Sequence, residues 1–331
     1  MLKLKYLFYN ADLAEMLLKN WSYDEDSLGL FKHYRISSNA VYPFRSEGRP
    51  QLLRFAPKSE KLGPNLKAEL EFLRYLHAHQ FEALEAVPSR SGSELVEAET
   101  PWGTFYATVF KRVAGTQLSR TEFNAPLLFS YGQALGKLHR LSSQYSPVNP
   151  PRWSCMDVLD WIEELLGHNP DEETALKEAH LLRQKFAELS TSSNMYGLIH
   201  YDFEADNVFY EEASGTCHVI DFDDAMYHWY AMDVERALNS LQEYIPVEHF
   251  AHKKSLFLEG YCTEFELPEH LERLLPICSR FANLYGYARV WRAVNERWEH
   301  EPEWLVHLRN RLTEGMKAEA AYFGQSSNLL R

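Results

Sequence analysis

Residues 198–224 read LIHYDFEADNVFYEEASGTCHVIDFDD. The stretch holds His200, then Asp202, then Asn207 five positions on, and, after a short hairpin, Asp221-Phe222-Asp223. NVFY and CHVID read as strands joined by the turn EEASGT, so the chain returns and carries Asp221 back towards Asn207. Two carboxylates and an amide oxygen placed in this way suit transfer of a phosphoryl group from a magnesium nucleotide. One carboxylate accepts or orients the proton of an attacking hydroxyl. The other carboxylate and the amide hold Mg2+, which prefers hard oxygen ligands in near-octahedral geometry. The plain alternative is a core histidine with surface acids in a turn.

Upstream of this stretch the chain is rich in strands. Residues 12–20 (DLAEMLLKN) read as a short amphipathic helix with Asp12 as its N-cap. KHYRI, AVYPF and QLLRF follow as strands, broken at SSN and at SEGRP. In residues 65–80, Leu66, Leu70, Leu73 and Leu76 recur at helical spacing and make a one-sided apolar stripe. ELVEA and TFYATVF form a hairpin across TPWG. The order β-β-β-α-β-β predicts a small antiparallel sheet carrying one helix. From residue 111 the pattern changes: KRVAGTQLS lacks periodicity, and helices follow at FSYGQALGKLHRLS, 171–189 and 280–298. PPRW (150–153) reads as a loop, and everything after residue 231 reads as helical.

The pattern resembles H-x-D-x-x-x-x-N followed by D-F-G, the catalytic and metal-binding motifs of protein-kinase-like enzymes. His-Tyr-Asp-x-x-x-x-Asn with Asp-Phe-Asp looks like the aminoglycoside phosphotransferase family, which includes choline kinases and bacterial homoserine kinases. The resemblance spans roughly residues 30–300. It implies an α+β, bilobal protein-kinase-like fold, with a small antiparallel-sheet N-lobe and a mainly helical C-lobe. The N-lobe would be residues 1–110, with 1–30 a helical extension, the hinge 111–115, and the C-lobe 116–331. The implied reaction moves the γ-phosphoryl of ATP, with Mg2+, to a hydroxyl of a small molecule.

Residue by residue, the resemblance makes Asp202 the catalytic carboxylate and Asn207 and Asp221 metal ligands. Asp223 either contacts a second cation or simply adjoins Asp221. Where the family normally has a strand Lys paired with a helix Glu, this chain has Arg54 and Glu69. Arg stays cationic and grips phosphate through two nitrogens, though Lys58 and Lys61 are alternatives. No G-x-G-x-x-G is present, and the turn Ser37-Ser38-Asn39 stands where the phosphate-covering loop belongs. Lys111 and Val113 lie in the connector that meets the adenine edge. His200 is expected to brace the loop, His139 to be a packed core histidine, and Asp233 to cap backbone amides of the loop. Tyr285, Tyr287, Trp291 and Trp298 read as core, or as an aromatic wall for a cationic substrate.

Composition narrows the partners. The chain has 331 residues, 45% hydrophobic and 24% charged, enough apolar content for sizeable cores. Lys and Arg number 34 against 47 Asp and Glu, a net charge of −13, which disfavours nucleic acid and anionic membrane surfaces. Residues 1–110 carry 13 basic and 14 acidic residues, and 111–331 carry 21 and 33. The acidic second half fits either solvated helix faces or a cationic acceptor, such as an amino sugar, an amino alcohol or choline. Homoserine or a sugar fits the motif as well. The four scattered cysteines form no C-x-x-C pair, and the apolar start is too short for a signal peptide, so a reduced, cytoplasmic setting is expected. Nothing in the residues specifies an oligomeric state. Two other readings stay open: a nucleotide-binding module without turnover, and transfer of a nucleotidyl group.

Overall fold

The computed structural model describes residues 1–148 and 152–325. Close contacts group them into two units, each drawn from separated stretches. The first comprises Met1–Leu70, Glu85–Arg112 and Tyr285–Tyr322; the second comprises Glu71–Leu84, Val113–Leu284 and 323–325. The connector at 111–115 is therefore one of several points at which the chain passes from one unit to the other.

The first unit opens with helix α1 (Ala11–Leu18). Its cap is Asn10, whose side chain accepts from the Leu13 N–H at 2.9 Å, and Asp12 falls inside the first turn. The cap shifts because Asn10 has the non-helical backbone a cap needs, φ −145° and ψ 89°. KHYRI is mostly not a strand. Glu25–His33 forms a 3-10 run, leaving only β1 (Arg35–Ile36) extended. The Ser27 hydroxyl anchors that run by donating to the Asp24 carbonyl at 2.6 Å and accepting from the Arg45 N–H at 3.0 Å.

Strands β2 (Ala40–Ser46) and β3 (Arg49–Pro57) are joined by Glu47 and Gly48, both at positive φ, as a tight hairpin turn requires. The Asp24 carboxylate accepts from both turn amides, at 2.9 and 2.8 Å. Helix α2 (Gly63–Ala78) follows, then β4 (Ala86–Val87), β5 (Val96–Thr100) and β6 (Gly103–Lys111). The sheet runs β1-β2-β3-β6-β4, with β5 also on β6. Every pairing is antiparallel. The predicted leucine stripe of α2 is buried throughout. Against the sheet pack Leu13, Leu17, Trp21 and Phe31, meeting Tyr42, Phe44, Leu53 and Val109. Each such side chain contributes about 1.5–3 kcal/mol by leaving water.

The second unit holds β7 (Thr116–Gln117), α3 (Ala125–Ser142), α4 (Cys155–Leu166), α5 (Glu173–Ala187), β8 (Tyr196–Ile199), β9 (Val208–Glu211), β10 (Thr216–Val219) and β11 (Met226–Trp229). Then come α6 (Ala231–Tyr244), α7 (Val247–Cys262) and the first part of α8 (Leu271–Val294). Helices α3 and α7 pack backbone to backbone. A Cβ on Gly132 would lie 1.8 Å from the Phe257 carbonyl oxygen, and one on Gly260 would lie 2.0 Å from that of Phe129. Only glycine permits that approach. Of the PPRW loop, Pro150 and Pro151 lie outside the described residues, and Arg152–Trp153 is irregular. The expected helical tail is present as far as described, with 326–331 outside.

Residues 285–294 of α8 and α9 (Glu303–Ala320) belong to the first unit. There Leu4, Val294 and Leu305 form a buried cluster, with Val290 and Trp298 against it. No described helix is long and apolar enough to cross a membrane. The four cysteines are free thiols.

Candidate active site

The 198–224 stretch is held at both ends by pairing that its short strands do not advertise. β8 pairs antiparallel with β11, Ile199 opposite Met226, while β9 and β10 form the predicted hairpin. The two intervening loops, 200–207 and 220–225, are thereby drawn together. The Ile220 N–H donates to the Asn207 carbonyl at 2.9 Å, and His200 Nε2 donates to the Ile220 carbonyl at 2.8 Å. Asn207 Nδ2 donates to the Asp202 carbonyl at 3.0 Å and to its carboxylate at 2.9 Å. Asp202, Asn207 and the residue before Asp221 thus form one hydrogen-bonded group.

Two backbone positions in this group are strained. Tyr201 has φ 71°, and Asp221 adopts the left-handed conformation, φ 65° and ψ 61°. That region costs an L-residue about 1–2 kcal/mol, less for Asp and Asn. Packing holds Asp221 there. The next residue, Phe222, is fully buried with its ring 4.5 Å from His200 and 6.0 Å from Phe72. Arg152 clamps the following turn, its Nε donating to the Ala225 carbonyl at 2.6 Å and its Nη2 to the Asp223 carbonyl. This fixes the main chain at Asp223.

Behind the loop lies Asp233 at the start of α6, wholly buried. Its carboxylate accepts from the His200 N–H at 2.8 Å and the Tyr201 N–H at 2.6 Å, the capping expected of it. His139 Nε2 donates to the same carboxylate at 3.1 Å, and its Nδ1 accepts from the Tyr261 hydroxyl at 2.8 Å. Burial lowers the His139 pKa, opposed by Asp233, so the ring is the packed core histidine expected. From the connector side, Gly115 at φ +88° lets the chain pass Tyr210, where a Cβ would sit 2.4 Å from the carbonyl oxygen. Two residues on, Gln117 Nε2 donates to the Asp206 carbonyl at 2.5 Å.

Arg236 and Glu204 were not singled out in the sequence. Arg236, one turn beyond Asp233, pairs with Glu204 and lies 4.0 Å from the Asp202 carboxylate and 6.0 Å from the Tyr201 ring centroid. Burial, with Asp202 next in effect, pushes the Glu204 carboxyl up to about 7. The spacing from Asp233 to Arg236, one helical turn, was the available signal.

In the first unit, β3 pairs with β6 so that Arg54 lies opposite Thr108. The Arg54 guanidinium donates through both terminal nitrogens to Glu69 of α2, at 2.8 and 2.7 Å, and lies 4.7 Å from the Phe110 ring centroid. Both side chains are buried, at 8% and 0% exposure. A pair expected from sequence alone is therefore made in full. Lys58, one of the two alternatives, turns instead to Glu97. The turn Ser37-Ser38-Asn39 closes β1 onto β2, with the Ser37 N–H donating to the Asn39 carbonyl at 3.0 Å. Arg289 of α8 reaches this turn and donates to the Ser38 hydroxyl at 3.0 Å. The same guanidinium lies 5.2 Å from the Tyr285 ring centroid, so that ring faces a cation of the protein's own. Lys111 ends β6 with its ammonium 2.5 Å from Glu85 and its N–H on the Glu85 carbonyl. Val113 opens the second unit's main segment.

The donor set fits a magnesium ion completed by phosphate. Among the described residues no three His, Cys, Asp or Glu side chains gather into a metal-holding group. Mg2+ bound with nucleotide takes only one or two carboxylates from protein. Asp221 would be one such ligand. Asn207 spends its amide nitrogen on Asp202, so its amide oxygen would be the ligating atom.

The chain belongs to the phosphotransferase enzyme family, whose model matches residues 36–274, and is a small-molecule kinase. Among curated proteins it is similar to the amicoumacin kinase of Bacillus subtilis (strain 168), with 24% identity over 336 residues covering 97% of each chain. Among solved structures it is similar to an amicoumacin kinase in complex with AMP-PNP, Ca2+ and Ami, at TM-score 0.74 and 20% identity over 95% of each chain. A microcompartment-associated aminopropanol kinase follows at TM-score 0.68 and 21% identity, covering 97% of this chain and 99% of that one. The fold is the α+β, protein-kinase-like one expected.

Proposed function

We propose that the chain transfers the γ-phosphoryl of ATP to a hydroxyl of an amine-bearing small molecule. Asp202 orients the attacking hydroxyl and takes its proton. Asn207 and Asp221 hold Mg2+, with Asp223 beside them, and the ion when bound neutralises charge on the transferring phosphate. By the family pattern Arg54, held by Glu69, would neutralise the donor phosphates, and the Ser37-Ser38-Asn39 turn would lend them backbone and hydroxyl donors. Lys111 and Val113 lie where the connector would meet the adenine. The Lys111 N–H is already bonded, and the Arg112 N–H donates to the Pro50 carbonyl at 3.3 Å, so backbone recognition falls to Val113. Positioning and charge stabilisation supply the rate enhancement, since no covalent intermediate is needed.

One observation carries this reading: Asn207 holds the Asp202 carboxylate through its side-chain amide and the Ile220 N–H through its main-chain carbonyl, so the proposed proton acceptor and both proposed metal ligands share one hydrogen-bonded scaffold. A module that only binds nucleotide has no use for that linkage. The amine preference draws on the acidic second half of the chain and on the names of the relatives. The free thiols support a cytoplasmic setting.

The test is to incubate the protein with Mg·ATP and a pooled panel of alcohols, amino alcohols and aminoglycosides, then to identify products by mass spectrometry. A gain of one phosphate on a panel member is expected. A gain of AMP would replace the proposal with nucleotidyl transfer. Asp202→Asn should keep ATP binding and lose turnover by roughly 10²–10⁴-fold; a fully active variant would remove Asp202 from its role.

A further inference from the structure

The loop that carries Asp202 is fixed through its main chain. Asp233 of α6 accepts from the His200 and Tyr201 amides. The Tyr131 hydroxyl of α3 donates to the Phe203 carbonyl at 2.7 Å, and the Ala205 N–H donates to the Ser240 hydroxyl of α6 at 3.0 Å. Gln117 of β7 holds the Asp206 carbonyl, and the Glu204 N–H donates to the Asp202 carbonyl at 2.8 Å. Three elements of the second unit thus set the loop backbone without the side chains of Glu204 and Arg236.

Those two side chains form an ion pair that the loop does not need for its shape. One nitrogen of Arg236, Nη2, bonds Glu204 Oε1 and lies 4.0 Å from Asp202 Oδ1, beyond hydrogen-bond reach. Asp202 Oδ2 accepts from the Asn207 amide. The three side chains are part-open, at 31% exposure for Asp202, 25% for Glu204 and 21% for Arg236. The guanidinium carbon lies over the nearly buried Tyr201 ring, 6.0 Å from its centroid, on a residue whose φ is positive.

Two carboxylates within 4.0 Å of one nitrogen define what the pair can do. Like charges so placed disfavour each other, and a guanidinium between them, always cationic, offsets the repulsion. Without Glu204, the same cation would be drawn onto Asp202 and compete there with an incoming hydroxyl. We propose that Arg236 and Glu204 are positioning residues for phosphoryl transfer: the arginine screens Glu204 from Asp202, and the glutamate holds the arginine off Asp202. The inference rests on the role proposed above for Asp202 and adds two residues that act through it. Each charge is harmful without the other.

Turnover of the panel member that gains phosphate is measured for Arg236→Met, Glu204→Ala, their double variant and Arg236→Lys, alongside Mg·ATP affinity by calorimetry and thermal melting. Arg236→Met and Glu204→Ala should each lose about tenfold or more in kcat, with Mg·ATP affinity within about twofold of wild type. The double variant should turn over faster than either single one, since it leaves neither an unscreened carboxylate nor a loose cation. Arg236→Lys keeps a cation beside both acids and should lose less than Arg236→Met, and it serves where Arg236→Met does not fold. A pair that only stabilised the fold would lower the melting temperature and leave kcat of the folded protein unchanged. That outcome, additive losses in the double variant, or Arg236→Lys as impaired as Arg236→Met overturns the inference. If Asp202→Asn is inactive and Arg236→Met fully active, the inference fails and the functional reading stands. If the wild type phosphorylates nothing on the panel, or Asp202→Asn is fully active, the functional reading fails and the inference falls with it.

Discussion

Replacing Glu69 by Gln leaves the Arg54 guanidinium charged, buried at 8% exposure and without the Glu69 carboxylate. The amide keeps one acceptor oxygen, so the packing is preserved and the charge is what changes. Breaking a buried pair from one side costs about 3–5 kcal/mol, because the remaining ion has lost its compensation. The retained bond and the Phe110 ring, 4.7 Å away, put the expected loss towards 3 kcal/mol. The loss falls on the first unit, so it is best read by hydrogen exchange in peptides covering β3, β6 and the start of α2. Protection there should fall by roughly 100-fold or more while the α3 and α7 amides keep theirs. The double variant Arg54→Met with Glu69→Leu is the control, since apolar replacement of both partners is often neutral or stabilising. It should recover the exchange protection and still fail to use ATP. A single variant that loses less than about 1 kcal/mol, or a double variant as unstable as the single, would refute the view that the pair is held at an energetic cost for the sake of the nucleotide.

Three other perturbations test separate parts of the molecule. Asp221→Asn keeps a residue that tolerates the left-handed backbone, so the fold should hold. Its nucleotide affinity should lose at least about tenfold in Mg2+ and be unchanged in chelator, by calorimetry; an affinity in Mg2+ equal to that of the wild type would exclude Asp221 as a ligand. Ser38→Ala and Arg289→Met should each weaken nucleotide binding about fivefold, and the double variant no further, since they share one bond. Additive losses would show that Arg289 acts elsewhere. Burial holds the His228 imidazole down to about 3, against an ordinary value of 6.5. The folded chain therefore keeps the ring neutral where the unfolded chain protonates. Stability is full above pH 6.5 and falls as pH drops towards 3, by up to about 1.4 kcal/mol per unit. His228→Gln should flatten the acid limb of a urea-denaturation series, and an unaltered slope would exclude His228 as its source.

How far the residues announce this arrangement depends on the distance over which each contact acts. The β9–β10 hairpin and the α2 stripe are local, closing within one turn or one helix face, and both are legible. Arg54 and Glu69 are fifteen residues apart and could be matched through the family resemblance. The β8–β11 pair was invisible: YGLI and MYHW are four-residue runs with no shared turn, and only tertiary structure aligns them. The Ser38–Arg289 contact spans 251 residues and has no periodic signal at all. KHYRI misled because a serine hydroxyl anchors a 3-10 run, a side-chain preference that strand propensity does not weigh.

The make-up of the first unit has a consequence for how the protein is born. Its sheet leaves the ribosome early, yet Leu4 must wait for Val294 and Leu305, and the nearly buried Glu60 carboxylate for Arg292, 2.9 Å away in the finished fold. The second unit's main segment, Val113–Leu284, is synthesised whole in between. Maturation therefore runs against the order of synthesis, the half that emerges first being completed last. A fragment cut at residue 112 would carry all six strands of that sheet and still lack the partners of Leu4, Ser38 and Glu60.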